Sequence, residues 1–149
     1  MKKSAGILPF RKKDEIEVFL AHMGGPFWRR KKRSWSIVKG EVREGEDLLK
    51  TAKREFFEET SKKIDGEFIY LGSAKSSNKI LYVWAVESDI DTDIKSNTFE
   101  MEWPLGSGEI RSFPEVDRAK WFKLKEAKEV IVSYQEVFLD RLLEKISSF

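Results

Sequence analysis

Residues 47–61 carry Leu49, Ala52 and Phe56 at i, i+3 and i+7, with Leu48 alongside, the spacing of an amphipathic helix. Within that helix the segment KREFFEET, residues 53–60, places Glu55 one turn before Glu58 and Glu59, so all three project from neighbouring positions mostly off the apolar stripe. Like charges at such spacing cost a helix about 0.2–0.5 kcal/mol per pair. The chain must therefore fold so that one face of this helix is covered by a core while the other meets a compensating charge. Lys53 and Arg54 on a solvated face are one solution. A bound cation is the other, and residues outside the helix decide between them.

Elements alternate along the rest of the chain. Residues 5–10 and 17–23 are apolar and β-favouring around the polar RKKDE, which predicts a hairpin. GGPFWRRKKRS interrupts regular structure, and WSIV resumes a short strand ending at Lys39 and Gly40. Strands are expected at about 67–75 and 80–87, followed by the polar connection SDIDTDIKSN. Strand-like pieces flank the turn PLGSGE, and a helical region is expected from about Lys125 to Ser147. No repeat or linker divides the sequence, so a single domain over 1–149 is expected.

Composition removes several kinds of chemistry. There is no cysteine, which excludes disulfides, thiol nucleophiles and cysteine-ligated zinc. His22 is the one histidine; one chain cannot build a multi-histidine metal site, and His22 lies in an apolar strand where a structural role is expected. The opening MKKSAGILPFRKKDE has too short an apolar run for a secretory segment or a membrane span, which leads to the expectation of a cytoplasmic protein. The net charge of +2 conceals a basic run at residues 29–33 and the acidic helix, two poles that an anionic ligand bridged by a cation would use together.

Gly40, Glu46, Arg54, Glu55, Phe56, Glu58 and Glu59 stand in the order G, five residues, E, seven residues, REUxEE, where U is a bulky apolar residue. Chance agreement at these positions is about one in a million per window from residue frequencies. This pattern resembles the Nudix box, the signature of the Nudix hydrolase superfamily. Two positions depart from it: Ser61 stands in place of glycine and Lys62 in place of an apolar residue. Serine in a left-handed conformation is strained by roughly 1 kcal/mol, so the helix is expected to continue toward Gly66 instead. The run WSIVKGE is also similar to the W, two residues, PKG entry of Nudix diadenosine polyphosphate hydrolases, with Val38 in place of proline.

The resemblance implies an α/β/α sandwich with a curved mixed sheet, and metal-dependent cleavage of a diphosphate linkage in a nucleotide derivative. A dinucleoside polyphosphate or a nucleoside triphosphate is the implied substrate. Mg²⁺, with Mn²⁺ as the alternative, would be held by Glu55, Glu58 and Glu59, since hard cations take oxygen ligands and keep waters for phosphate to replace. The resemblance adds the Lys39 backbone carbonyl as a ligand, Glu46 in an outer position, and Glu115, six residues before Trp121, as a ligand or base; Glu100, Glu102 and Glu109 compete for that last role. Arg54 either pairs at i+4 or orients a catalytic glutamate, and the base is either Glu55 or Glu115. For the substrate, Lys39 is a candidate phosphate contact, and Arg29, Arg30, Trp28 and Trp35 are candidates in a basic aromatic loop whose rings can stack on a base or cover the core. The altered box end and the basic run favour an alternative, a nucleotide- or RNA-binding module without turnover.

Overall fold

The computed structural model describes residues 1–147. A hairpin opens the chain: β1 (Lys2–Lys12) pairs antiparallel with β2 (Ile16–Met23) through Phe10↔Val18, Arg11↔Glu17 and Lys12↔Ile16. The same edge of β1 then exchanges partners. Ser4–Ile7 pair with β4 (Val38–Glu41), and Pro9, which has no N–H to give, lies where the two pairings part. On its other edge β1 runs parallel to β6 (Lys79–Glu87), which pairs antiparallel with β5 (Ile69–Ser76). A short β3 (Trp35–Ser36) and β9 (Val116–Lys123) complete a mixed seven-stranded sheet through β2. β7 (Thr98–Glu102) and β8 (Ile110–Pro114) form a separate two-stranded ribbon.

Alternation along the strands sorts two apolar layers. Ala5, Ile7, Phe19 and Ala21 face one side of the sheet, where Ala52 and Phe56 of α1 (Leu48–Thr60) cover them. Leu8, Phe10, Val18 and Leu20 face the other side, against Phe138, Leu139 and Leu142 of α3 (Glu136–Ser147). These are the two helical layers of the expected sandwich. No helix among the described residues is long and apolar enough to cross a membrane.

Three expectations are corrected. The WSIV strand is two strands, because the Ile37 N–H leaves the sheet ladder and donates to Gln135 Oε1 at 2.9 Å. The C-terminal helical region is also divided: α2 (Leu124–Val130) stops at the fully buried Ile131, the Val132 N–H donates to the Trp35 carbonyl at 2.9 Å, and a 3-10 turn at Ser133–Gln135 precedes α3. Finally, α1 does not continue toward Gly66. Ser61 accepts the left-handed conformation, φ 64°, with its N–H bonded to the Phe57 carbonyl at 2.7 Å and its hydroxyl donating to the Lys95 carbonyl at 2.6 Å. That hydroxyl offsets part of the strain that glycine would avoid. Ser61→Ala, which keeps the strain and loses the bond, is expected to lower stability by about 1 kcal/mol in chemical denaturation. Ser61→Gly should cost less, because relief of strain opposes loss of the bond.

Candidate active site

Asp47 caps α1 by accepting the Lys50 N–H at 3.1 Å. Just before it, Glu46 receives the Thr51 hydroxyl at 2.7 Å and a two-pronged contact from Arg54, Nε to Oε2 at 2.8 Å and Nη2 to Oε1 at 2.9 Å. These bonds favour the ionised carboxylate and hold Glu46 well below the usual acid range, the Arg54 contact being the largest cause. Arg54 also donates through Nη1 to Glu55 at 2.7 Å and to Glu58 at 3.0 Å, and through Nη2 to the Glu41 carbonyl at 3.1 Å. Its i+4 contact and its grip on Glu55 thus coexist. A planar fork with five N–H groups can make all of these bonds at once, and a lysine, with three, cannot.

Glu59 stands apart from Arg54 and bonds instead with the Lys39 backbone. It is 8% exposed, and its pKa is pushed up to about 8, first by burial and then by the nearby charges of Glu55 and Glu115, with Lys39 offsetting only part. Burial likewise raises the Glu55 carboxyl against the pull of Arg54, and raises Glu115 against the pull of Lys39. Glu55, Glu59, Glu115 and Lys39, with Glu58, Gly40 and Asn97, line one cavity of about 320 Å³, and Arg54 stands outside its lining.

Gly40 explains how strand and helix come so close. A Cβ on Gly40 would fall on the carboxyl group of Glu55, so only glycine lets β4 lie against that side chain. Glu115 arrives from the opposite direction, at the junction of β8 and β9. Its N–H donates to the Asn97 carbonyl at 2.9 Å and its carbonyl accepts the Gly24 N–H at 3.0 Å, which ties it to the end of β2 and to the 88–97 connection. The three competing glutamates are elsewhere. Glu102 accepts the Gly106 and Gly108 N–H groups, Glu109 pairs with Arg111, and Glu100 lies on β7 of the ribbon.

The donor set suits a hard divalent cation: carboxylates facing one cavity, their charge short of compensation. Among the described residues, no three acidic or histidine side chains already form a closed coordination group. Glu55 and Glu58 each turn an oxygen toward Arg54, and the other Glu58 oxygen lies 3.5 Å from Arg43 Nη2, so a cation would draw first on Glu55 Oε2, on Glu59 and Glu115, and on phosphate or water.

The NUDIX domain family matches residues 1–142. The chain belongs to the Nudix family. It is 28% identical to Nudix hydrolase 5 of Arabidopsis thaliana over 130 residues, covering 79% of this chain and 39% of that protein. The chain therefore spans well under half the length of that relative. Similar folds include a C. elegans Ap4A hydrolase, TM-score 0.69 at 20% identity over 100% of both chains. The NUDIX domain of Shewanella oneidensis NrtR, solved with ADP ribose, has TM-score 0.67 at 13% identity, covering 97% of this chain and 87% of that one.

In this Nudix chain the basic aromatic loop separates into parts. Trp28 reaches a chamber beside the carboxylate cavity, sharing Lys39 with it. Trp35 does not line either space; it packs edge-on against His22 and Phe122, ring centroids 5.2 and 4.8 Å away. Arg29 and Arg30 line other clefts, and Arg33 is a structural tie that donates to the Lys128 and Ile131 carbonyls at 2.9 and 3.0 Å. His22, buried, bonds Asp117 at 2.9 Å away from the carboxylates. Tyr134 and Gln135, which also line the Trp28 chamber, were not among the candidates from sequence: SYQE falls inside what the sequence presents as one helical region, and nothing in it marks a site.

Proposed function

We propose that this Nudix chain is a metal-dependent pyrophosphohydrolase that cleaves a diphosphate linkage in a nucleotide derivative, with a dinucleoside polyphosphate as the first substrate to test. The observation that carries the reading is the convergence of Glu55, Glu58, Glu59, Glu115 and Lys39 on one cavity. Mg²⁺ or Mn²⁺ held by these carboxylates and the Lys39 backbone carbonyl would neutralise phosphate oxygens and acidify an attacking water. Arg54 holds Glu55 in orientation, and the Lys39 ammonium meets the substrate's phosphates. Glu55 or Glu115 takes the proton of the attacking water; both face the cavity, and burial raises both toward the range in which a carboxylate accepts protons well. The name of one relative, a Nudix hydrolase, agrees with the class of reaction, and that of a structural neighbour, an Ap4A hydrolase, with the class of substrate.

The test is a nucleotide panel assayed at one ionic strength with Mg²⁺, with Mn²⁺ and with chelator. Cation-dependent hydrolysis of at least one nucleotide diphosphate linkage is expected, with diadenosine tetraphosphate giving the highest kcat/KM. No cation-dependent hydrolysis anywhere in the panel, with nucleotide binding retained, would leave the non-catalytic binding module as the better reading. A tenfold advantage for ADP-ribose or a nucleoside triphosphate, about 1.4 kcal/mol in the transition state, would overturn only the polyphosphate preference.

A further inference from the structure

No residue of the basic run 29–33 lines the carboxylate cavity. Two successive backbone bonds, from the Arg29 N–H to the Pro26 carbonyl at 3.4 Å and from the Lys31 N–H to the Trp28 carbonyl at 3.2 Å, coil this loop and leave Arg29, Arg30, Lys31 and Lys32 exposed. The loop is pressed against the β7–β8 ribbon: Gly25 has φ 89°, and a Cβ there would come within 2.9 Å of the Phe99 ring. Two clefts lie along this contact and meet at Arg29. One, of about 470 Å³, is lined by Phe27, Arg30 and Lys31 of the loop and by Trp103 at the turn of the ribbon. The other, of about 240 Å³, is lined by Asp117 and Arg118 of β9 together with His22.

Arg29, Arg30, Lys31 and Arg118 pair with no carboxylate among the described residues. Asp117, the one carboxylate lining either cleft, is bonded to His22 Nδ1 at 2.9 Å. The groove is thus a strip of cations without counter-charge, long enough to span two clefts, and it suits a polyanion that runs along it. Its apolar part narrows the choice. Phe27 is 63% exposed, with Lys31 Nζ 4.2 Å from its ring centroid. A bare ring beside a cation can take an aromatic base together with its phosphate. An acidic peptide would answer the charges and not the rings, and a duplex keeps its base faces stacked inside. Loops, bulges and ends of RNA present the unstacked bases that aromatic side chains receive.

We propose that the groove between the 24–33 loop and the β7–β8 ribbon binds single-stranded RNA, with Phe27 and Trp103 stacking on bases and Arg29, Arg30, Lys31 and Arg118 meeting phosphates. None of these residues lines the carboxylate cavity, so the groove stands whether or not the chain hydrolyses nucleotides.

Fluorescence anisotropy tests this with a labelled single-stranded RNA of about 12 nucleotides, within the usual site sizes of single-strand binders. Chelator is present throughout, so that cation-dependent hydrolysis does not intervene. Wild-type affinity should fall about fiftyfold between about 50 and 200 mM salt, the dependence expected when four cations displace counterions from a single strand. The double variant Arg30→Gln with Lys31→Gln should bind more weakly and with about half that slope of log affinity against log salt. Phe27→Ala should weaken binding about tenfold, the scale for loss of one stacking ring, with the slope unchanged. Phe27→Trp should restore it, which a loop merely loosened by the alanine would not explain. Absence of RNA binding at the lower salt overturns the proposal. So does a Kd within twofold of wild type in Phe27→Ala and in the double variant alike. Tighter binding of DNA of the same sequence, or of a polyglutamate peptide, than of the RNA overturns it in favour of that ligand.

Discussion

Glu59→Gln is expected to lower kcat/KM by more than about 10²-fold, because groups that merely orient metal ligands already cost 10- to 100-fold when removed. The substitution keeps shape and removes the charge that a cation would meet. Its effects on stability and binding should carry a distinct pH signature. Between the ordinary value of 4.5 and about 8, the folded chain retains a proton on Glu59 that the unfolded chain has released. The contribution of Glu59 to stability without metal is therefore fully present below 4.5, falls as pH rises, and is lost once pH passes about 8. The variant lacks this slope, so its stability relative to wild type should improve with pH. The same proton competes with the cation. Wild-type affinity for Mg²⁺ should rise with pH by up to about tenfold per unit until Glu59 is ionised, and calorimetry in two buffers near neutrality should record proton release. Wild-type turnover and Mg²⁺ affinity in the variant would contradict the assignment.

Gly40→Ala should separate catalysis from stability in the opposite way to a core mutation. The added methyl would occupy the space of the Glu55 carboxyl, the far end of a flexible side chain, so the backbone pairing of Gly40 with Ala5 can persist while Glu55 moves. A shift of that kind costs about 1–3 kcal/mol, the range for overpacking, and a drop in Tm of some degrees. The displaced carboxyl gives up its 2.7 Å bond from Arg54 and its place in the cavity. A loss of about 10²-fold or more in kcat/KM is expected, since misplacement by about 1 Å can have that effect. Full activity in a folded Gly40→Ala protein would show that Glu55 need not occupy this position.

Part of this site was legible because it is local. Once Leu49, Ala52 and Phe56 mark an apolar stripe, of which Ala52 and Phe56 are buried, helical geometry alone sets Glu55, Glu58 and Glu59 within one turn of each other, and the 48–60 helix follows the expected bounds closely. The strand alternation that buries Ile7 and Phe19 on one face and Leu8 and Leu20 on the other has the same character: its period is two residues, and any short window displays it. Where local preference met a long-range demand, it yielded. Ser61 takes a conformation its own sterics disfavour because the Lys95 carbonyl, 34 residues away, receives its hydroxyl. Ile37 breaks a strand for the sake of a glutamine 98 residues on.

The sequence by itself determined that the chain belongs with the Nudix hydrolases, that α1 has one apolar and one acidic face, and that Gly40 and Arg54 stand at fixed distances from those glutamates along the chain. Only the tertiary structure decided that Glu115 rather than Glu100, Glu102 or Glu109 joins them, that Trp28 but not Trp35 lies beside the cavity, and that Tyr134 and Trp28 line one chamber. The division follows from the physics. Spacing along a helix or strand is set by bonded geometry within a few residues, whereas Glu59 is pushed up to about 8 by desolvation, which exists only after segments far apart in sequence have closed over it and excluded water.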